Sequence, residues 1–305
     1  MIHRRDFLKL AAALATTFGI NGMPEVVQAA LKKIDPESVP KLIYLQGLSC
    51  TGCSISLLQA ESPGPLAMIT EYSQLAFHAD LSAISGSKAL SLVDKFISGE
   101  AGDYFLVVEG AIPEKMPDAC IIGEKTFAQI LEQAGKTMSG AVAVGACACD
   151  GGIPAAEGNV TGAIGLKDFF SKRDIKKLVV NIRGCSVHPD WVWHTIIHLL
   201  KVGTPELIDD APAIFFGRKV HELCPRYHDF QQQFFAKKLG DKGCLFKLGC
   251  LGPDTYADCP TRWWNGGRTW CIDSNAPCIG CASSTFARQK NIPFYRLHEG
   301  KKLPA

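Results

Sequence analysis

Between Lys41 and Gly217, short apolar runs alternate with amphipathic ones. The apolar runs predict strands at 41–46, 104–109, 141–145, 178–182 and 213–216, and the amphipathic runs predict helices at 54–61, 88–98, 125–134, 166–172 and 191–201. Near-continuous Val, Ile and Leu in the strands is typical of burial on both faces of a sheet. Strands that alternate with helices in this way predict βαβ units, and therefore an α/β fold with a doubly wound parallel sheet.

After Gly217 the pattern changes. Regular periodicity is weak apart from a short segment at 227–239, while Gly, Pro and Trp are frequent and seven of the thirteen cysteines occur here. Such a segment would have difficulty burying a regular core and needs cross-links of another kind. We therefore predict a sheet domain at 31–217, followed at 218–305 by a second, smaller irregular domain stabilised by metal clusters.

The first 30 residues read as a targeting signal. Arg4 and Arg5 precede a mild apolar run at 10–20, and small residues at 27–29 form a cleavage pattern. This predicts a twin-arginine signal peptide and export of the folded protein to the periplasm. No other apolar stretch reaches the ~18–20 residues that a membrane span needs, so we expect no transmembrane anchor. A net charge of +2 without blocks of like charge gives no indication of nucleic-acid binding.

Thirteen cysteines in an exported chain would ordinarily indicate disulfides. The odd count and the close C-x2-C pairs argue against that interpretation. A thioredoxin-like pair or structural zinc stays open as an alternative. With one histidine added, spacing instead sorts twelve side chains into three sets of four: Cys50, Cys53, Cys147 and Cys185; His221, Cys224, Cys244 and Cys250; Cys259, Cys271, Cys278 and Cys281. One cubane iron–sulfur cluster takes four ligands, so the sets predict three 4Fe–4S clusters.

The first set follows the predicted strands. Cys50 and Cys53 come after the first strand, Cys147 after the strand at 141–145, and Cys185 after the strand at 178–182. In open parallel sheets, ligands bind beyond the carboxyl ends of the strands, where the strand order switches. Cys147 and Cys185 could instead be ordinary buried thiols. Glycines beside both positions favour convergence on one site, because glycine lets backbone amides approach cluster sulfurs.

The second and third sets each leave one question open. His221 could be an ordinary surface or core histidine, but without it the second set has only three ligands. A neutral imidazole in place of a thiolate would raise the potential of the cluster. In the third set, a cluster that Cys271 does not ligate would be a three-iron 3Fe–4S cluster of higher potential.

Three further residues have no settled role. Cys149 lies two residues after Cys147, where strand-like alternation would direct it to the same side, either to modify a cluster or as an inert buried thiol. Cys120 has no partner at ligand spacing. Glu109 ends a predicted strand near the first set, where it either relays protons or orients a ligand, or is a solvated or capping carboxylate.

Ordered motifs along the chain match one family. They are CTGCS at 50–54, VEGAIP at 108–113, GAC at 145–147, GGIP at 151–154, GC at 184–185, HPDW at 188–191, HELCP at 221–225, CP at 259–260, WNGG at 264–267 and PCIGC at 277–281. Over essentially its whole mature length the chain resembles the small subunit of nickel–iron hydrogenases. The resemblance implies a flavodoxin-like first domain and a heterodimer with a large subunit that carries the nickel–iron centre and the dihydrogen chemistry.

The resemblance also implies a role for each set. The first set would hold the proximal cluster beside the large subunit, the Cys259 set the medial cluster, and the His221 set the distal cluster near the surface. Such a chain has no catalytic residue of its own. It passes electrons between the large-subunit active site and an external carrier, for which the family expectation is a multihaem c-type cytochrome.

Departures from the family pattern refine the expectation. Most members have proline where this chain has Cys271, and a cysteine there resembles the nickel–iron–selenium branch, whose medial cluster is 4Fe–4S. Gly52 argues against the extra proximal cysteine of oxygen-tolerant members, and Ser186-Val187 replaces the usual proline pair after Cys185.

Two alternative functions remain: an iron–sulfur subunit of a quinone-linked oxidoreductase, and a secreted cysteine-rich protein without redox function.

Overall fold

A computed structural model describes residues 41–288, so the predicted signal at 1–30 lies outside the described residues. Five parallel strands form the central sheet in the order β2-β1-β3-β4-β5. They are β1 (Lys41–Gln46), β2 (Gln74–His78), β3 (Tyr104–Glu109), β4 (Gly140–Val144) and β5 (Val179–Ile182). The order reverses between β1 and β3, as in flavodoxin-like sheets, and the predicted α/β fold is confirmed.

Helices flank the sheet and continue into the C-terminal segment. They are α1 (Gly52–Leu57), α2 (Gly86–Ile97), α3 (Phe127–Thr137), α4 (Gly145–Asp150), α5 (Leu166–Ser171), α6 (Pro189–Lys201), α7 (Ala213–Phe216), α8 (Val220–Leu223), α9 (Tyr227–Gln231) and α10 (Cys259–Arg262). Short helical turns lie at Pro65–Ala67, Met68–Tyr72, Pro117–Ala119, Ile153–Ala155, Phe246–Leu248 and Gly252–Asp254.

Three two-residue ladders complete the described secondary structure. Ile112–Pro113 pairs with Ala163–Ile164, Ile121–Ile122 with Lys125–Thr126, and Leu207–Ile208 with Ala211–Pro212, all antiparallel. They shape the loops that connect the larger elements and add no strand to the central sheet.

The structure differs from the sequence analysis at three segments. Residues 213–216 form helix α7 and not a strand, because four consecutive apolar residues have too little length to distinguish the two periods. Strand β2 was missed, since it is a half-buried edge strand with polar residues at both ends. The periodic segment at 227–239 forms only the short helix α9.

Alternate residues of the strands feed two cores, one on each face of the sheet. In β1, Ile43 and Leu45 join the core formed with α2, α3 and α5, while Leu42 and Tyr44 join the core formed with α1 and α6. Residues of the C-terminal segment, among them Val220, Leu245, Trp270 and Ile272, belong to this second core. The irregular segment therefore packs against the α6 side of the sheet, and the predicted boundary at 217 stays a prediction.

Helix α6 fixes the C-terminal segment by two polar contacts. Trp191 is fully buried, and its Nε1 donates to Asp258 Oδ1 at 2.7 Å. His188, which caps the same helix, places its Nε2 2.7 Å from the carbonyl oxygen of Trp263. These contacts join the loop after β5 to the region around α10, and so bring the first and third cysteine sets towards each other.

We expect Trp191→Phe to loosen the C-terminal segment. The change removes the hydrogen bond to Asp258 and part of a buried ring, at a cost of about 1–3 kcal/mol in the free energy of unfolding. Limited proteolysis after residue 217 should become several-fold faster. Trp193→Phe is the matched control, because Trp193 Nε1 donates to Leu57 O within the sheet domain. Equal proteolysis of both variants would contradict the prediction.

Candidate metal centres

The first predicted set gathers at the carboxyl edge of the sheet. Cys50 and Cys53 follow β1 at the start of α1, Cys147 lies in α4 directly after β4, and Cys185 follows β5. Burial raises the pKa of the Cys185 thiol to about 12, and the charges of Cys147 and Cys50 contribute. Burial also raises the pKa of Cys53, with contributions from Cys147 and Cys185. The structure thus brings these four sequence-distant side chains together.

Two glycines leave room for the sulfur atoms of this set. A Cβ on Gly145 would lie within 3.0 Å of Cys53 Sγ, and a Cβ on Gly152 would lie within 3.0 Å of Cys147 Sγ, closer than real Cβ atoms come. Both glycines also have positive φ angles, +85° and +50°. Any other residue would therefore meet both backbone strain and a sulfur atom at these positions.

Glu109 ends β3 beside the first set and is only 2% exposed. Its carboxylate accepts hydrogen bonds from the backbone amides of Cys53 (3.2 Å) and Ser54 (3.1 Å). The hydroxyls of Ser54 (2.5 Å), Ser49 (2.7 Å) and Tyr44 (2.8 Å) also donate to it. Burial excludes a solvated carboxylate. Glu109 caps the first turn of α1 and, through the same contacts, orients the segment that carries Cys53.

Sequence reasoning identified Glu109 but missed its partners. The available signal was the register of the sheet, in which Gln46 pairs with Glu109 across β1 and β3. Tyr44 lies two residues before Gln46 and therefore on the same face. The Ser49 and Ser54 hydroxyls lie on the connection into α1, whose path no short-range pattern specifies.

Of the two interpretations of Cys149, the structure supports the buried thiol. β4 ends at Val144 and α4 begins at Gly145, so Cys147 lies in a helix and strand alternation does not apply. Cys149 is 3% exposed, and its Sγ donates to Ala143 O at 3.2 Å. Burial raises the pKa of this thiol well above its usual value. Cys149 is therefore a buried thiol of the core on the α2 and α3 side of the sheet.

The second predicted set lines one cavity. His221, Cys224, Cys244 and Cys250 all line one small pocket. Helix α8 places His221 and Cys224 one turn apart, while the other two cysteines come from the loops around Phe246–Leu248. Burial raises the pKa of Cys224 to about 11, and the charges of Cys250 and Cys244 contribute. All four predicted ligands thus face one volume.

Aromatic rings hold the imidazole of His221 in place. Its ring packs edge-on against Phe230 and Tyr227, with centroids 4.5 Å and 5.0 Å apart. Burial lowers the pKa of His221, and the charge of Lys219 lowers it further. The imidazole is therefore neutral near pH 7, and this is the form that binds metal.

The third predicted set surrounds α10 and the loop that ends at Cys281. Burial raises the pKa of Cys259 well above its usual value, and the charges of Cys281 and Cys271 contribute. Burial raises the pKa of Cys281 to about 11, again with a contribution from Cys271. Cys278 is affected in the same way, first by burial and then by neighbours that include Cys281 and Cys259. Cys271 therefore lies with the other three, although it is the most exposed of the set.

Backbone amides point at the sulfurs in a recurring pattern. In four cases the amide two residues further along the chain donates to the cysteine: Arg226 to Cys224, Phe246 to Cys244, Gly252 to Cys250, and Gly280 to Cys278. In the first set the amides of Val187 and Ile153 donate to Cys53 and Cys147. Each of these bonds stabilises negative charge on a sulfur that burial would otherwise disfavour.

Two of these hydrogen bonds connect one set to the next. The amide of Cys185, in the first set, donates to Cys281 of the third. The amide of Cys278, in the third set, donates to Cys250 of the second. The three sets therefore follow one another in space, with the Cys259 set in the middle.

The donor chemistry fits iron–sulfur clusters. Among residues 41–288 no three acidic, cysteine or histidine side chains converge on a single point in the way that one metal ion requires. A cubane has no such requirement, because each of its four irons binds its own ligand. Sets of four separated ligands, with backbone amides that donate to their sulfurs, match that geometry.

Three further observations concern disulfides, Cys120 and membrane-spanning helices. None of the thirteen cysteines, all within the described residues, forms a disulfide. Cys120 packs against the α2 and α3 core, away from the three sets. In the segment 41–288 no helix has the length and apolar character to cross a bilayer.

We expect Gly145→Ala to lower the iron content of the purified protein, because its methyl group would displace Cys53 Sγ. Gly102→Ala is the matched control, since Gly102 has a similar φ of +78° and a Cβ there would have open space around it. Iron analysis of both variants separates sulfur displacement from backbone strain. Full iron content in Gly145→Ala would contradict the prediction.

Known proteins match this chain along nearly its whole length. The family defined by the C-terminal region of the NiFe/NiFeSe hydrogenase small subunit matches residues 216–295, and the family "NADH ubiquinone oxidoreductase, 20 Kd subunit" matches residues 50–199. The periplasmic NiFeSe hydrogenase small subunit of Desulfomicrobium baculatum is 39% identical, over 96% of this chain and 98% of that protein. The Hydrogenase-2 small chain of Escherichia coli (strain K12) is 34% identical, over 95% of this chain and 79% of that protein.

Solved structures agree as well. The reduced, active form of the Ni-Fe-Se hydrogenase from Desulfomicrobium baculatum superposes with a TM-score of 0.80 at 40% identity, over 85% of this chain and 100% of that one. The recombinant NiFeSe hydrogenase from Desulfovibrio vulgaris Hildenborough gives a TM-score of 0.79 at 37% identity, over 85% and 98%. The chain therefore belongs to the family of NiFe/NiFeSe hydrogenase small subunits, which are part of an enzyme with hydrogenase activity.

Proposed function

We propose that this chain is the electron-transferring small subunit of a periplasmic nickel–iron–selenium hydrogenase and that it holds three 4Fe–4S clusters. The observation that carries the proposal is the succession of three four-ligand sets, linked by the amides of Cys185 and Cys278. Clusters in such a succession pass one electron at a time along the chain of sets.

Each set would hold one cluster. The proximal cluster would bind Cys50, Cys53, Cys147 and Cys185; the medial cluster Cys259, Cys271, Cys278 and Cys281; and the distal cluster His221, Cys224, Cys244 and Cys250. The protein orients the sulfurs, excludes water from them and directs backbone amides at them. Those three factors tune the potential of a cluster.

Cys271 supports the selenium branch of the family. Where proline stands at this position, as the resemblance implies for most members, only three cysteines remain for a medial cluster. Here Cys271 lies with Cys259 and Cys281. A full set of four thiolates favours a 4Fe–4S cluster over a 3Fe–4S cluster at the medial position.

An exposed apolar surface beside the proximal set favours docking of a large subunit there. Ile55 and Leu58 on α1 are 55% and 43% exposed, and Ile153, whose amide donates to Cys147, is 44% exposed. Large apolar side chains grouped beside a buried site are typical of an obligate interface. The nickel centre and the dihydrogen chemistry would belong to that partner.

The sequence and the relatives support export. Arg4 and Arg5 fit a twin-arginine signal, and the Desulfomicrobium baculatum relative is named periplasmic.

A multihaem c-type cytochrome is the expected carrier at the distal set. Between positions 218 and 247, around the distal set, basic residues outnumber acidic ones. The basic residues include Arg218, Lys219, Lys237, Lys238, Lys242 and Lys247.

A quinone-linked oxidoreductase subunit is the second candidate. The observation in its favour is the match of residues 50–199 to the 20 Kd subunit of NADH ubiquinone oxidoreductase. That range contains the proximal set alone. It leaves the eight ligands from His221 to Cys281 without a role, so we favour the hydrogenase subunit.

Metal analysis tests the number and type of clusters. We expect about twelve irons, with equal acid-labile sulfide, for each small subunit, since three cubanes hold four irons each. Cys271→Pro should hold about eleven and show a new EPR signal of an oxidised three-iron cluster. Cys120→Ala is the control, because Cys120 lies outside the sets. An absence of iron would overturn the proposal, and an unchanged EPR spectrum in Cys271→Pro would overturn the medial assignment.

Salt dependence tests the carrier. Exposed cations around the distal set repel a cationic multihaem cytochrome, so we expect the rate of electron transfer to such a carrier to rise as ionic strength increases from about 0.01 M to about 0.15 M. A neutral dye serves as the control acceptor, with an unchanged rate. A rate that falls with salt would show that acidic residues of the large subunit dominate this face.

A further inference from the structure

Arg226 lies between the distal and medial sets. It is half-buried and lines the cavity that the four distal ligands border. Its Nη1 donates to Gly243 O at 3.0 Å, and its Nη2 donates to Ile272 O at 3.0 Å and to Asn275 Oδ1 at 2.6 Å. The guanidinium thus donates to three acceptors, which lie in two different parts of the chain.

These acceptors adjoin ligands of both sets. Gly243 immediately precedes the distal ligand Cys244, and Ile272 immediately follows the medial ligand Cys271. Asn275 lies in the turn that Cys271 begins. In addition, the backbone amide of Arg226 donates to the distal ligand Cys224. A single side chain therefore fixes the spacing between one distal loop and one medial loop.

The charge of Arg226 also acts on the distal sulfurs. Arg226 lines the same pocket as Cys224, Cys244 and Cys250, so its guanidinium charge lies close to all three distal sulfurs. Across residues 41–288 no carboxylate forms an ion pair with Arg226. Its side-chain acceptors are neutral carbonyl and amide oxygens, so none of its hydrogen bonds neutralises the guanidinium.

We propose that Arg226 is a positioning residue for electron transfer, which holds the medial and distal loops together and raises the reduction potential of both clusters. The inference rests on the proposed function. A fixed positive charge stabilises the reduced, more negative form of a nearby cluster. Arginine suits this position because its planar fork reaches several acceptors at once and keeps its charge at every physiological pH.

The electron balance of the step is simple. One electron would leave the medial cluster, which would be oxidised, and enter the distal cluster, which would be reduced. Arg226 exchanges neither an electron nor a proton. Its charge would lower the free energy of the reduced form of both the medial and the distal cluster. The difference between their potentials would therefore stay small, while both would become better electron acceptors for the proximal cluster.

The test is an EPR-monitored redox titration of the assembled hydrogenase. In Arg226→Met, we expect the ratio of reduced to oxidised distal cluster at a fixed potential to fall about tenfold, which is about 59 mV for a one-electron couple. The medial signal should shift in the same direction, and the proximal signal should not move. Arg226→Lys keeps the charge but not the fork, and should shift the distal signal by less than Arg226→Met does.

Arg218→Met is the matched control. It removes an arginine from the segment that carries His221, but this side chain is 65% exposed and water screens its charge. Its potentials should equal those of the wild type. Iron content of every variant is measured in parallel, because a merely structural role would lower iron without shifting the potential of the clusters that remain.

Unchanged distal and medial potentials in Arg226→Met, at full iron content, would overturn the inference. If that variant loses iron, Arg226→Gln is titrated instead, since its amide reaches part of the same acceptors without a charge. Loss of clusters from both variants would also overturn the electrostatic role. Absence of iron from the wild type would overturn the proposed function itself, so the two failures are distinguishable.

Discussion

Burial of sulfur ligands is the constraint on which the rest of this structure depends. A sulfur atom that must carry negative charge inside a protein loses the solvation that water would give it. The chain compensates with backbone amides, and those amides require loops that turn sharply around each cysteine. The four bonds from residue i+2, together with the bonds from Val187 and Ile153, supply this compensation. Much of the irregular backbone after residue 217 serves the same requirement.

The sheet itself was largely predictable from the sequence. Strands β1 and β3 are continuous apolar runs, because both of their faces are covered, and their bounds agree with the sequence pattern. The sorting of ligands into three sets stays a prediction that rests on spacing, which reflects loops that fold locally. Only the first set needed long-range reasoning, and there the rule that ligands lie beyond the carboxyl ends of parallel strands was sufficient.

The errors have physical reasons. Helix α4 begins one residue after β4 ends, with no polar or glycine-rich spacer between them, so the sequence pattern could not decide between the two interpretations of Cys149. Strand β2 is a half-buried edge strand whose apolar run, 75–77, is only three residues long and too short to predict a strand. The contacts of Arg226 could not be predicted, because they join segments more than 15 positions apart through a side chain that looks like an ordinary surface charge. The serine partners of Glu109 were equally hidden, because they lie more than 50 positions from it in the chain.

The double attachment of Cys185 bears on how the protein matures. Its sulfur belongs to the set at the edge of the sheet, while its amide serves a cysteine near the end of the described chain. If the chain were divided at residue 217, the amide of Cys185 would lose its acceptor and the sulfur of Cys281 would lose its donor. The middle set thus reaches its final hydrogen bonding only when the sheet and the C-terminal segment meet, which makes the two parts one unit of cofactor assembly.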